Sequence, residues 1–210
     1  MKNDKISEQT TKRLSIYLRC LNELAAAGQV SVSSEACAER FGLNSAQIRK
    51  DLANFGEFGH RGVGYDVATL RAHLIRILGL DRQHTVGIIG AGRLGTALAD
   101  YYRVLDSNFV VAALFDVAKG KIGKKVGDIE IFDIKSFAEV AKRDKIEVAV
   151  IAVPAVEAQR VIEIVESTGI TAVMNFAPIR LRVSPDIKLK SVDMTTTLES
   201  LSYFLANNSH

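Results

Sequence analysis

The 210-residue chain contains no tryptophan, three prolines and two cysteines, and each scarcity removes a class of explanation. Cys20 and Cys37 show no CxxC or Cys/His spacing, which argues against a disulfide framework or a zinc site. They read instead as small buried side chains on successive helices. No run of about 18 apolar residues occurs, so no membrane span is expected. The polar start, Met1-Lys2-Asn3-Asp4-Lys5, is not followed by an apolar signal core, and a cytoplasmic location is expected. Histidine is missing where a dehydrogenase would use it: His60, His73, His84 and His210 leave residues 85–209 without one. Charge of either sign is nearly balanced. The net +3 lies wholly within residues 1–80, which carry 11 Lys/Arg against 8 Asp/Glu, while residues 81–210 carry 16 of each. An excess this small gives only weak support for a nucleic-acid partner.

What is present changes character near residue 80. Leu14, Tyr17, Leu18, Leu21, Leu24 and Ala25 recur at three and four, predicting a helix over residues 7–27 that Gly28 ends. Ser33 is placed to cap a second helix through Phe41, closed by Gly42. A third runs from Asn44 to about Asn54, with Ile48, Leu52 and Phe55 on one face and Gln47, Lys50 and Asn54 roughly opposite, Arg49 on the flank. Four glycines between residues 56 and 64 exclude a helix there and suit a tight hairpin, followed by a helix over 66–78. Three helices and a glycine-rich hairpin describe a winged helix-turn-helix. Gln47, Arg49, Lys50 and Asn54 are its candidate DNA-reading donors, with Arg61 reaching out from the wing. A solvated polar helix face is the simpler reading of those four residues taken alone; the wing favours DNA.

Beyond residue 80, short apolar runs at 85–89, 110–115, 148–153 and 171–174 alternate with helical stretches, which implies a parallel sheet covered on both faces. Gly90-Ala91-Gly92-Arg93-Leu94-Gly95 follows the first run and opens a helix, the setting in which a glycine-rich turn holds a pyrophosphate. Asp116 ends the second run 21 residues beyond Gly95, where a carboxylate accepts from adenine ribose hydroxyls. That favours NAD(H) over NADP(H), although Lys119 and Lys121 follow closely. Val153 and Pro154, with Asn175 and Ala177, complete the candidate cofactor set at later strand ends. The expected class is α/β: residues 1–80 a winged helix-turn-helix domain, 81–193 a Rossmann-type NAD-binding domain, 194–210 a C-terminal helix. Catalytic residues and metal ligands are not expected, because only about 35 residues follow Asn175 and Tyr101 and Tyr102 lack a lysine four residues on. Two alternatives stay open: an NAD-dependent oxidoreductase with an accessory helical domain, and a module binding another nucleotide such as CoA.

The runs Gln47-Ile48-Arg49-Lys50-Asp51-Leu52, Phe55-Gly56-Glu57-Phe58-Gly59 and Arg61-Gly62-Val63-Gly64-Tyr65 resemble the signature of the Rex redox-sensing transcriptional repressors. Gly90 to Ala99 and Asn175-Phe176-Ala177-Pro178 extend the resemblance over nearly the whole chain. It implies a homodimer on a pseudo-palindromic double-stranded operator, with NADH and NAD⁺ as sensed ligands and release when NADH replaces NAD⁺. It also implies a C-terminal helix exchanged between subunits, for which Thr196 and Glu199 offer a capping box and Leu198, Leu201, Phe204 and Leu205 an apolar stripe. Finally, it implies a polar relay of Arg19, Tyr101 and Asp193, with Met194 standing where some members place an aromatic residue.

Overall fold

The computed structural model describes residues 6–60, 64–105 and 107–207, and the chain divides into two compact units, Met1–Arg82 and Gln83–His210. In the first, helix α1 (Glu8–Ala26) starts where the Ser7 hydroxyl accepts the Thr10 N–H, and it buries Leu14, Tyr17, Leu18, Leu21 and Leu24. Ser33 caps α2 (Ser34–Phe41), and Gly42 ends it in the left-handed region. Asn44 caps α3 (Ser45–Ala53), accepting the Gln47 N–H at 2.9 Å. Each cap satisfies a backbone donor that the first helical turn leaves without an intrahelical acceptor.

Strands β2 (Gly59–His60) and β3 (Gly64–Asp66) pair antiparallel as the expected hairpin, and Asp66 caps α4 (Val67–Ile77). Arg61, the candidate wing residue, lies outside the described residues. A two-residue strand, β1 (Ser31–Val32), adds to β3 and makes a three-stranded sheet. Two residues are too few to show alternation, so the sequence pattern held no trace of it. Leu14, Leu21, Leu24, Ile48, Leu52, Val67, Leu70 and Leu74 form the core under these elements.

The second unit is a seven-stranded sheet in the order β10-β9-β8-β4-β5-β7-β6. Its strands are β4 (His84–Ile89), β5 (Phe109–Asp116), β6 (Lys125–Val126), β7 (Ile129–Asp133), β8 (Val148–Ile151), β9 (Ala172–Asn175) and β10 (Lys188–Ser191). All neighbours are parallel except the β6–β7 pair. Helices α5 (Arg93–Val104), α6 (Phe137–Arg143) and α7 (Ala155–Glu166) connect them. Adjacent residues of the central strands serve different cores: Ile88, Leu114 and Val150 pack on one face, Ile89, Phe115 and Ile151 on the other. This is why those strands read as continuous apolar runs rather than alternating ones. Strands β6, β7 and β10 were not anticipated. β6 has two residues, and β10, Lys-Leu-Lys-Ser, is a mostly exposed edge strand whose lysines hide its pairing.

The last helix, α8 (Met194–Asn207), also departs from expectation at its start. Asp193 accepts the Thr195 and Thr196 N–H groups at 2.9 and 3.1 Å, so Asp193 is the cap and Thr196 lies within the first turn. A carboxylate already in place three residues upstream makes the Thr196 hydroxyl unnecessary as a cap.

Candidate dinucleotide site and nucleic-acid interface

The chain runs from β4 outward through β5 to β7, then returns to lay β8 against the other side of β4. That reversal opens a crevice beyond the C-terminal ends of β4 and β8, the place where open α/β sheets bind nucleotides. Gly90 stands at its base with φ +103°, and a Cβ there would lie 2.4 Å from the Ala152 carbonyl and 2.9 Å from Val153 Cγ1. Gly95 lets α5 settle on the loop, since a Cβ would fall 1.9 Å from the Gly90 carbonyl. A Cβ on Gly92 would meet nothing within 4 Å. The outer side of that turn is therefore open, which leaves room for a phosphate to approach the backbone.

Gly92 caps α5 and Pro154 caps α7, and neither helix has a side-chain acceptor at its start, whereas α1 to α4 all do. Two helix N-termini with unclaimed donors thus flank the crevice, a fitting environment for an anionic pyrophosphate. Arg93 is exposed at the first position of α5 and Leu94 is half-buried beside it.

Asp116 closes β5 at one side of the crevice. Its Oδ1 accepts the Ala118 N–H at 2.9 Å, and its Oδ2 accepts from Lys121 Nζ at 2.8 Å. Burial alone would raise this carboxyl's pKa; Lys121 and the backbone donors outweigh it and hold the group below the usual carboxylate range. Asn175 is fully buried, and its amide braces the following loop: Oδ1 accepts the Ala177 N–H at 2.9 Å while Nδ2 donates to the Ala177 and Ile179 carbonyls. Its side chain thereby fixes the loop that leaves the C-terminal end of β9.

In the first unit, the four candidate donors of α3 separate into two kinds. Lys50 and Asn54 are exposed. Arg49 is paired with Glu35 and also donates to Ser34 Oγ at 2.7 Å, tying α3 to the start of α2. Gln47 turns inward and donates to Asp51 Oδ1 at 2.8 Å.

Asp51 is a hub that the sequence reading passed over. It is 2% exposed, and it receives Arg13 Nε at 2.5 Å, Arg13 Nη2 at 2.8 Å and the Tyr17 hydroxyl at 2.9 Å. Its position three residues after Ile48 and four before Phe55 sets it on the apolar face of α3, and that placement is the signal that could have found it. Of the relay residues, Arg19, Tyr101 and Asp193 are all exposed, and the Asp193 carboxylate is occupied in capping α8. Among the described residues no group of His, Cys, Asp and Glu side chains is arranged to hold a metal ion, and no helix is long and apolar enough to cross a membrane.

Comparison with known proteins agrees with both halves of this arrangement. Residues 5–53 match the family described as putative DNA-binding protein N-terminus, and residues 81–179 match the CoA binding domain family. The redox-sensing transcriptional repressor Rex of Desulfitobacterium hafniense is 42% identical over 203 residues, covering 97% of each chain. That of Syntrophomonas wolfei is 45% identical over 208 residues, covering 99% of each. Among solved structures, RSP in complex with β-NAD⁺ and operator DNA is similar with a TM-score of 0.93 and 36% identity, over 98% of this chain and 95% of that one. RSP with β-NADH matches with a TM-score of 0.85 at 35% identity, over 97% and 95%. A winged DNA-binding unit joined to a Rossmann-type unit, with end-to-end relatives of this identity, places the chain in the Rex family of redox-sensing transcriptional repressors.

Proposed function

We propose that this chain is a cytoplasmic repressor that binds operator DNA as a homodimer and leaves it when NADH replaces NAD⁺. The observation that carries the reading is the pairing, in one chain, of a recognition helix with an open glycine turn and two helix N-termini that no side chain caps. Likeness over 98% of the chain to a repressor solved with both β-NAD⁺ and operator DNA supports it. Lys50 and Asn54, with Arg49 and Arg61, supply the DNA contacts; Gln47 acts by fixing the face of α3. The turn from Gly90 to Gly95, Asp116, Val153-Pro154 and the loop held by Asn175 supply the dinucleotide contacts. The apolar stripe of α8 supplies the dimer contact, and Arg19, Tyr101 and Asp193 relay the state of the nicotinamide ring.

The two redox forms differ by one positive charge and by ring shape, so control requires each form to favour a different state of the protein. A ligand with equal affinity for both states shifts nothing, however tightly it binds. The test is binding to a labelled palindromic duplex at fixed salt, with NADH and NAD⁺ added separately. Release by NADH with retention by NAD⁺ is expected. Equal behaviour with both forms would refute redox control, and hydride transfer from NADH to a substrate would point to the oxidoreductase alternative.

A further inference from the structure

The adenine end of the crevice carries a feature that a plain NAD site does not need. Asp116 is 10% exposed and ionised, and its buried charge is met by Lys121 Nζ at 2.8 Å. Lys121 is not a loose surface cation swinging in by chance. Its own N–H donates to the Ala118 carbonyl at 2.9 Å, the Lys124 N–H donates back to the Lys121 carbonyl at 3.0 Å, and the Ala118 N–H is held by Asp116 Oδ1. The turn after β5 therefore delivers the ammonium to this carboxylate, while 43% of the lysine side chain still faces solvent.

A carboxylate alone discriminates in one direction. It accepts the 2′-hydroxyl of an adenine ribose and repels a 2′-phosphate in the same place. With an ammonium bound to it, that repulsion is largely cancelled, and the exposed part of the ammonium offers a phosphate an attractive partner. Asp116 keeps free lone pairs for a hydroxyl, because each carboxylate oxygen can accept more than one hydrogen bond.

We propose that Lys121 is the residue that sets discrimination between NADH and NADPH here, acting as the counter-ion of Asp116 and as the partner of a 2′-phosphate. The site is then acidic and basic at once, and it admits the phosphorylated dinucleotide to a degree fixed by one side chain. This rests on the dinucleotide reading given above. Lys119, two residues nearer to Asp116 in sequence, is exposed and serves as the internal control.

The experiment is titration of the full chain with NADH and with NADPH, by calorimetry or ligand fluorescence, in wild type, Lys121→Gln, Lys121→Arg and Lys119→Gln, with thermal denaturation of each. Lys121→Gln is expected to weaken NADPH at least tenfold and to change NADH less than threefold. Lys121→Arg is expected to keep NADPH within threefold of wild type, and Lys119→Gln to leave the ratio of the two affinities within threefold. An unchanged ratio in Lys121→Gln overturns the assignment. So does an equal loss of both ligands with a lowered melting temperature, which would make Lys121 a structural ion-pair partner only. A wild-type chain that binds NADH while Lys121→Gln leaves the ratio unmoved refutes only this inference. A wild-type chain that binds neither refutes the dinucleotide reading and this inference with it.

Discussion

Asp51 concentrates more structure than any other single side chain of the DNA-binding unit. Two elements meet on it, Arg13 and Tyr17 from α1 and Gln47 from its own helix. Burial would raise its pKa, yet these donors hold it below the ordinary carboxylate range. Removing one partner of a fully buried ion pair costs about 3–5 kcal/mol; the Arg13 side chain remains 28% exposed, so a smaller loss applies, about 2–3 kcal/mol for Asp51→Asn. Because the folded pKa is depressed, this stability is complete above the unfolded pKa of about 4 and is lost as pH falls through the folded value. Urea denaturation of wild type and Asp51→Asn should show a full gap near pH 7 that narrows below about pH 4; a gap independent of pH would refute the ionic origin. The glycine turn permits a cleaner separation of folding from binding. Gly92→Ala adds a methyl group into open space at φ −83°, an ordinary angle, so the protein should melt as wild type does and yet lose NADH affinity by tenfold or more. Gly95→Ala drives a Cβ into the Gly90 carbonyl and should lower both melting temperature and affinity.

Among the elements, α3 and α8 meet the solvent for opposite reasons. Helix α3 buries Ile48, Asp51 and Leu52 and presents Ala46, Lys50, Ala53 and Asn54 outward, a surface with small side chains between donors. Lys50→Ala should weaken binding similarly across DNA sequences and reduce the slope of log affinity against log salt by about one, as one lost phosphate contact does. A slope equal to that of wild type would remove Lys50 from the interface. Helix α8 instead exposes Met194, Leu198, Leu201, Tyr203, Phe204 and Leu205, each more than half exposed. Met194, Leu198, Leu201 and Leu205 recur at four, three and four, one continuous stripe. A 14-residue helix is marginal alone, and an uncovered apolar stripe is costly in water. Deleting residues 194–210 should therefore convert a dimer to a monomer in light scattering; a truncated chain that stays dimeric would place the interface elsewhere.

At the scale of the whole molecule, a ligand on one unit must alter the DNA affinity of another. Moving such an equilibrium from 1:99 to 99:1 requires about 10⁴-fold preference of the ligand for one state, or about 5.5 kcal/mol. One ring charge can supply part of this only where the nicotinamide meets groups that differ between states, which is the task of the relay proposed above through Arg19, Tyr101 and Asp193. The same carboxylate that would face the ring starts α8, so a change in its hydrogen bonding acts directly on the helix proposed to join the subunits.

Much of this was legible in the residues themselves. Ser33, Asn44 and Gly42 marked helix ends to within a residue, because capping depends on side chains only three positions apart. The strand before Gly90 and the acid at Asp116 located the crevice, since that chemistry is local to one βαβ unit. Tertiary structure alone decided what long-range pairing decides. It brought Arg49 to Glu35, and Arg13 and Tyr17 to Asp51, pairs whose geometry depends on how α1, α2 and α3 pack. It added β1, β6, β7 and β10, strands that exist only because a neighbour completes their hydrogen bonds. It also joined Lys121 to Asp116. The absence of histidine from residues 85–209 and the near balance of charge were properties of the chain from the start; which charges are buried together was settled only by the fold.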